Sequence, residues 1–173
     1  MIMDEASLKR ALIRIAHQII EKNEESENIC LIGIKTRGVP IAKRLSENIR
    51  AITGFDVPVG TLDITLYRDD VSDNLKDPVI NGTIIPFSVT GKNVILVDDV
   101  LFTGRTVRAA MDAIVSLGRP STVQLAIIID RGHREFPIRA DYVGKNVPTS
   151  KNERIAVRIP PYDETTSVEL YDI

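Results

Sequence analysis

Two adjacent aspartates, Asp98 and Asp99, follow a run of four apolar residues in the segment VILVDDVLFTGRT, residues 94–106. Ligands of parallel sheets bind beyond the carboxyl ends of the strands, where these acids are expected. The turn at 103–106 leads into a helix N-terminus, whose free backbone N–H groups bind anions, and Gly104 permits close approach. Carboxylates accept hydrogen bonds from diols and bind Mg²⁺. The combination favours a ribose 5-phosphate; a metal pocket or a solvated turn is the alternative.

A second anion site is expected in the segment GIKTRG, residues 33–38, after the first predicted strand. Lys35 and Arg37 supply positive charge, and the two glycines leave the backbone N–H groups accessible. An ordinary turn between a strand and a helix is the alternative interpretation.

The 173 residues are 43% hydrophobic and 27% charged, with a net charge of −2. A chain of this length is expected to form a single domain over 1–173. It contains no apolar stretch near the roughly 18–20 residues of a membrane span, and its charged first residues differ from a signal peptide. Cys30 is expected to be a buried thiol. Because it is the single cysteine, an intrachain disulfide is excluded and a cytoplasmic location is favoured.

Apolar periodicity predicts helices and strands in alternation along the chain. Helices are expected over 4–22, 38–49 and 105–117. Buried strands are expected over 28–34, 93–97 and 122–130, an extended segment over 55–67, and a weaker strand over 154–159. The polar residues 68–83 read as a long loop, which in a compact domain is usually functional. This alternation predicts an α/β fold, with a doubly wound, mostly parallel sheet covered by helices on both faces.

The segment VILVDDVLFTGRT resembles the signature of type I phosphoribosyltransferases, enzymes that use 5-phosphoribosyl 1-pyrophosphate (PRPP). The resemblance implies that Asp98 and Asp99 bind the ribose hydroxyls and lie beside the carbon that becomes positively charged. Mg²⁺ is the implied cofactor, reaching these two acids indirectly through ribose and pyrophosphate. The implied 5′-phosphate ligands are Thr103, Gly104, Arg105 and Thr106.

Three other segments fit the same family. The pyrophosphate loop corresponds to Lys35, Thr36, Arg37 and Gly38, with a non-proline cis peptide expected at Thr36–Arg37. The segment DITLYRDD, residues 63–70, resembles the flexible hood that closes over PRPP, with Tyr67 and Arg68 as its contacts. Phe102 stands where purine-using relatives often carry an acidic general acid/base. This departure favours a pyrimidine acceptor such as uracil, whose N1 proton is acidic.

Nearly the whole chain resembles one branch of that family, the bacterial pyrimidine-operon attenuation regulators. The segments IKTRGVPIAKRL and DRGHREFPIRADYVGKNVPTS, residues 34–45 and 130–150, carry this resemblance beyond the PRPP motif. It implies a bifunctional protein that binds pyrimidine-operon leader mRNA when uridine nucleotides are plentiful, and so promotes transcription termination. It also implies uracil phosphoribosyltransferase activity, which converts uracil and PRPP to UMP and pyrophosphate.

Residues 131–154 contain six Lys or Arg against three acids, a local basic surface in an otherwise acidic chain. The resemblance places RNA contacts at His17, Lys22, His133, Arg134, Arg139 and Lys145. The family often has Thr where Ile13 stands and Arg where Lys22 stands, and Lys lacks the bidentate geometry of Arg. Asp130 and Arg131, beyond the third buried strand, are the candidate uracil ligands.

The resemblance also implies a homodimer or a higher homo-oligomer, without a membrane partner. Three other functions remain open at this point. The first is a salvage phosphoribosyltransferase without an RNA role. The second is an RNA regulator whose PRPP site only senses nucleotides, and the third is a doubly wound domain whose acids hold Mg²⁺ for another purpose.

Overall fold

The computed structural model of this chain describes residues 1–24, 26–65 and 82–173. Within these ranges the helices are α1 (Glu5–Lys22), α2 (Gly38–Thr53) and α3 (Arg105–Leu117). The strands are β1 (Ile29–Ile34), β2 (Val59–Leu62), β3 (Asn93–Leu101), β4 (Thr122–Asp130), β5 (Tyr142–Asn146), β6 (Glu153–Arg158) and β7 (Ser167–Asp172). In the same ranges, no helix has both the length and the apolar character of a membrane-spanning segment.

Five strands form a parallel sheet in the order β2-β1-β3-β4-β5, which confirms the predicted α/β class. The strands end at different heights: β1 accompanies β3 only to the Gly33–Val97 pair, whereas β4 accompanies it to the Leu101–Asp130 pair. The prediction that β3 ends at residue 97 was therefore wrong. Beyond its apolar run, β3 continues to Leu101 because β4 still supplies hydrogen-bonding partners.

Alternate residues of the central strands pack on opposite faces of the sheet, as the pleat requires. Leu31 and Val97 belong to the apolar core shared with α1 and α2. Ile32 and Leu96 belong to a second core, which includes the small residues of α3 and also the buried Cys30. Helices therefore cover both faces, and the predicted doubly wound arrangement is confirmed.

Two strands differ from the prediction. β5 forms the edge of the sheet within the basic segment 131–154, where no strand was predicted. The weak strand predicted at 154–159 exists as β6, but it pairs antiparallel with β7 in a separate ribbon. Its burial alternates, with Ile155 and Val157 buried, and this pattern is typical of a strand that is covered on one face only. The ribbon also contacts the N-terminal segment, where Met3 forms an isolated bridge with Val168.

A buried polar cluster joins the end of α1 to β4 and β5. The Asn23 side chain donates hydrogen bonds to Ile19 O, Gln124 Oε1 and the Tyr142 hydroxyl, at 2.8, 3.1 and 3.2 Å. The Tyr142 hydroxyl donates to Gln124 Oε1, and Gln124 Nε2 returns a bond to Asn23 Oδ1. Burial raises the pKa of Tyr142 to about 12, so its hydroxyl remains a donor at neutral pH. The cluster fixes how α1 lies against β5.

We expect Tyr142→Phe to lower the free energy of unfolding by about 1–3 kcal/mol, because it leaves a buried amide oxygen without its short hydroxyl donor. Tyr162→Phe is the matched control; Tyr162 is 49% exposed, and its change should stay within about 0.5 kcal/mol. Denaturant unfolding of the two variants measures both values. Equal stability of the two variants would contradict a structural role for the cluster.

Candidate active site

Asp98 and Asp99 lie in the last part of β3, where β1 no longer runs beside it. Asp98 is buried at 8% exposure, whereas Asp99 is half-buried. Each carboxylate folds back on the chain: Asp99 N donates to Asp98 Oδ1 at 2.9 Å, and Val100 N donates to Asp99 Oδ1 at 2.8 Å. Both acids therefore lie within β3, and each carboxylate is held by the backbone N–H of the residue that follows it.

The two acids have unequal electrostatic surroundings. Burial, and after it the neighbouring charge of Asp99, raise the pKa of Asp98 well above its ordinary value. The hydrogen bond from Asp99 N opposes this shift without cancelling it. In the protein without ligand, an ionised Asp98 is therefore a destabilising group, and a cation or a hydrogen-bond donor placed beside it relieves that cost.

The predicted phosphate turn leads from β3 into α3. Gly104 is the residue that precedes the helix, with φ of 91°, a conformation that favours glycine. The amide of Arg105 donates to the Thr103 hydroxyl at 3.3 Å, and no side chain caps the helix. The N–H groups of α3 from Thr106 onward lie at the helix N-terminus, where anions bind in proteins, and this is the turn predicted to bind phosphate. Arg105 reaches Glu135 at 3.3 Å and lies over the Phe136 ring.

The predicted pyrophosphate turn connects β1 to α2 beside the acid pair. Gly38, the first residue of α2, packs on the backbone of β3 so closely that a side chain there would overlap Val97 O. Gly33 likewise packs against the first residues of α2. These contacts bring the Lys35–Gly38 turn to the level of Asp98. The structure has a non-proline cis peptide at Lys35–Thr36, so the expected bond, Thr36–Arg37, was wrong by one position; without a proline, no residue marks the bond.

Arg37 forms an ion pair that the sequence did not predict. Its Nε and Nη2 atoms donate to both carboxylate oxygens of Asp163, each at 3.0 Å. Asp163 also accepts a hydrogen bond from Ile159 N at 2.8 Å. The bonds from Arg37 lower the pKa of Asp163, and the same pair raises the pKa of Arg37. The pyrophosphate turn is thus tied to the β6–β7 connection, 126 residues away in the chain.

Lys35 lies between the two segments that flank residues 66–81. A side chain on Gly82 would overlap the Lys35 ammonium and approach Asp63 Oδ2. Hydrogen bonds from Thr65, with a smaller contribution from Lys35, lower the pKa of Asp63. Thr61 and Ile84 form an antiparallel bridge that joins the two flanks. The predicted hood contacts, Tyr67 and Arg68, lie outside the described residues.

The candidate uracil ligands follow β4, next to the phosphate turn. Arg131 N donates to Leu101 O at 3.1 Å, and Glu135 N donates to Thr103 O at 2.8 Å. These bonds hold segment 130–136 along the end of β3. A cavity of about 490 Å³ opens there, within the range of ligand sites. Its lining comprises Asp130, Arg131, Gly132, His133, Arg134, Asn146, Pro148 and Thr149.

The predicted RNA residues fall into two groups. Four of them are exposed: His17 and Lys22 on α1, Arg139 in the segment before β5, and Lys145 on β5. Lys22 pairs with Asp141 at 2.7 Å, and Arg14 bonds to the carbonyls of Val143 and Gly144, so α1 and β5 form one continuous surface.

His133 and Arg134 are instead half-buried and engaged inside the protein. Arg134 donates to Ile138 O and Phe102 O, each at 2.8 Å, and also pairs with Asp130. His133 Nε2 lies 2.5 Å from Thr149 O. Both side chains hold the segment that borders the phosphate turn. A basic sequence pattern does not show whether such side chains bind within the protein or contact RNA.

The acid pair fits the way in which proteins hold Mg²⁺. In the described part of the chain, no cluster of three or more His, Cys, Asp or Glu side chains could enclose a metal ion. Mg²⁺ is commonly bound by one or two carboxylates together with waters and substrate phosphates. Asp99, half-buried beside the pyrophosphate turn, suits a metal that takes most of its ligands from substrate and water.

Comparison with known proteins agrees with this geometry. The family model for the phosphoribosyl transferase domain matches residues 1–164. A protein named Bifunctional protein PyrR from Alkaliphilus metalliredigens is 60% identical over 169 residues, which are 98% of this chain and 93% of that protein. A protein of the same name from Listeria monocytogenes is 59% identical over 165 residues, 94% of this chain and 90% of that protein.

The chain belongs to the PyrR family of phosphoribosyltransferases. The resemblance found in its motifs is thereby confirmed. Among solved structures, a hypoxanthine-guanine phosphoribosyltransferase from Bacillus anthracis superposes with a TM-score of 0.73 at 20% identity, covering 99% of this chain and 96% of that chain. A Trypanosoma cruzi hypoxanthine phosphoribosyltransferase gives 0.76 at 15% identity, covering 97% and 92%. These two likenesses establish the fold alone.

Asp98→Asn should raise the thermal stability of the ligand-free protein at neutral pH. Because the folded pKa of Asp98 lies above its unfolded value, its contribution is favourable at low pH and is lost as the pH rises through the folded pKa. Asparagine keeps the acceptor for Asp99 N without the buried charge. Each kcal/mol gained raises the Tm by about 2–4 °C for a chain of this size.

Thermal unfolding across pH values measures this effect, with Asp99→Asn as the half-buried comparison. The gain in Tm for Asp98→Asn should shrink as the pH falls below the pKa of an aspartate in the unfolded chain. A Tm that drops at neutral pH, or a gain that is independent of pH, would show that burial of the charge is not the cause.

Proposed function

We propose that this protein transfers the phosphoribosyl group of PRPP to uracil, giving UMP and pyrophosphate, and that it binds pyrimidine-operon leader mRNA in response to uridine nucleotides. The observation that carries the enzymatic part is the contact of the Lys35–Gly38 turn with the β3 backbone at Asp98. This contact brings the turn proposed to bind pyrophosphate beside two carboxylates, and the turn proposed to bind the 5′-phosphate follows on the same strand. About 60% identity to PyrR proteins over almost the full chain supports both activities.

Each part of the site has a role in this reaction. Asp98 and Asp99 accept hydrogen bonds from the ribose 2′- and 3′-hydroxyls, and their negative charge stabilises the positive charge that develops at C1′. Thr103, Gly104, Arg105 and Thr106 bind the 5′-phosphate through the N-terminus of α3. Lys35, Thr36, Arg37 and Gly38 bind the pyrophosphate. Bound Mg²⁺ would neutralise charge on the pyrophosphate and make it a better leaving group.

The acceptor base lies in the cavity beside β4, with Asp130 and Arg131 as its candidate ligands. Phe102 supplies no acid or base, which favours an acceptor that loses its own ring proton readily. Tyr67 and Arg68 are proposed to close over the substrate and exclude water from the cationic transition state.

The RNA activity is proposed to use the surface formed by α1 and β5. His17, Lys22, Arg139 and Lys145 are exposed there, and such side chains bind phosphates and unstacked bases of RNA loops. An mRNA partner places the protein in the cytoplasm. A homodimer or higher homo-oligomer, expected from the family resemblance, would extend this surface.

The double variant Asp98→Asn, Asp99→Asn should abolish UMP formation, because contacts to the diol and charge stabilisation are lost together. Initial rates of UMP formation from uracil and PRPP measure the effect, with the Tm as evidence that the variant is folded. Activity within tenfold of wild type, a loss of only about 1.4 kcal/mol of transition-state stabilisation, would overturn the assignment.

Arg139→Ala should weaken leader-RNA binding and lower the slope of log K against log salt by about 1, while UMP synthesis stays normal. Arg119→Ala is the matched control, since Arg119 is an exposed arginine in the α3–β4 connection. Affinity measured over a series of salt concentrations separates the two variants. Equal losses in both would mean that the α1–β5 surface is not the RNA interface.

The inward bonds of His133 and Arg134 favour one other function, a salvage enzyme without an RNA role. Electrophoretic-shift binding of a pyrimidine-operon leader transcript, with and without UMP, distinguishes the two. Binding that UMP strengthens supports the regulator. Absence of binding, in a preparation that still forms UMP, supports the salvage enzyme.

A further inference from the structure

Arg131 carries a buried positive charge that lacks a carboxylate partner among the described residues. The residue is 8% exposed, and its guanidinium donates to Thr149 Oγ1, Ser150 O and Glu153 O at 2.9, 3.2 and 2.7 Å. It also lies 4.0 Å from the centroid of the Phe102 ring. All these partners are uncharged groups. A buried cation without a counterion is costly, so this arrangement favours a ligand that brings negative charge.

The neighbouring arginine is satisfied in a different way. Arg134 pairs with Asp130, the carboxylate next to Arg131 in the chain, and so removes it as a counterion. The contact with the Phe102 ring stabilises the charge of Arg131 only in part, because an aromatic face attracts a cation weakly. His133 adds an edge contact to the same ring, with centroids 5.6 Å apart. The cavity beside β4 is therefore lined by an uncompensated cation, next to the strand end that holds the ribose-binding acids.

We propose that Arg131 is a specificity-determining residue, whose charge stabilises the acceptor pyrimidine as its N1 anion. This inference rests on the proposed uracil phosphoribosyltransferase activity. The ring N–H proton passes to water, and the electron pair on N1 then forms the bond to C1′ of PRPP. The C1′–O bond breaks at the same centre, and its electron pair leaves with pyrophosphate. No side chain needs to accept the proton, which accounts for an apolar Phe102 at the end of β3.

Other titratable groups surround Arg131 and are already engaged. On its own segment these are Asp130, paired with Arg134, and His133, in contact with Thr149 O. At the start of β6, the Glu153 carboxylate accepts a hydrogen bond from Ser150 N at 2.6 Å. Among them, the Arg131 guanidinium is the charge left for a ligand.

Two bases that differ in acidity test the proposal: uracil, and 5-fluorouracil, whose ring N–H is more acidic. In Arg131→Gln, kcat/KM should fall by at least tenfold with uracil and clearly less with 5-fluorouracil. In a plot of kcat/KM with uracil against pH, the rising limb of the Arg131→Gln variant should lie at higher pH than that of the wild type. Arg131→Lys keeps the charge and should recover part of the loss. Equal losses with both bases at every pH, or Lys no better than Gln, would overturn the proposal.

The wild-type protein supplies a readout that does not depend on the folding of a variant. Its affinity for 5-fluorouracil is measured by calorimetry with ribose 5-phosphate present. As the pH is raised towards the pKa of the free base, this affinity should increase by about tenfold for each pH unit. Affinity that is constant or falls over this range would show that the neutral base binds, and would refute the role of Arg131. Failure of the wild-type protein to form UMP would instead refute the proposed function.

Discussion

The unequal lengths of neighbouring strands are the constraint on which the site depends. β1 ends beside Val97, whereas β3 and β4 continue to Leu101 and Asp130. The chain leaving β1 can then turn across the end of the sheet, and Gly38 packs directly on the backbone of β3 at Val97 and Asp98. The acid pair and the two turns proposed to bind anions thus lie together at one end of the sheet, although they come from separate parts of the sequence.

The same arrangement sets function against stability. Two like charges at the end of a strand raise the free energy of the ligand-free protein, and burial of Asp98 adds to the cost. Arg131 repeats the pattern with the opposite sign, on the other side of the phosphate turn. Among the described residues neither Asp98 nor Arg131 forms an ion pair, and a bound substrate would supply the hydrogen bonds or opposite charge that they lack, as is common in sites shaped by electrostatics.

Local chemistry in the sequence was enough to predict much of this site. Gly104 precedes α3 with positive φ, as the Thr-Gly-Arg-Thr turn indicates, and the apolar runs locate the central strands. Features that depend on distant partners were missed. β3 extends past residue 97 only because β4 lies beside it, and Arg37 meets Asp163 only once the ribbon has formed. Arg134 shows the same limit, since a basic segment does not reveal which of its side chains turn inward.

The contact between Arg14 and β5 has a consequence for aggregation. β5 is an edge strand of the main sheet, and such an edge can recruit a strand from another molecule. Arg14 occupies the carbonyls of Val143 and Gly144, and Lys145 places a charge on the same short strand. Desolvating these cations would oppose addition of a foreign strand. The basic character of this edge therefore protects the protein from β-pairing with strands of other molecules.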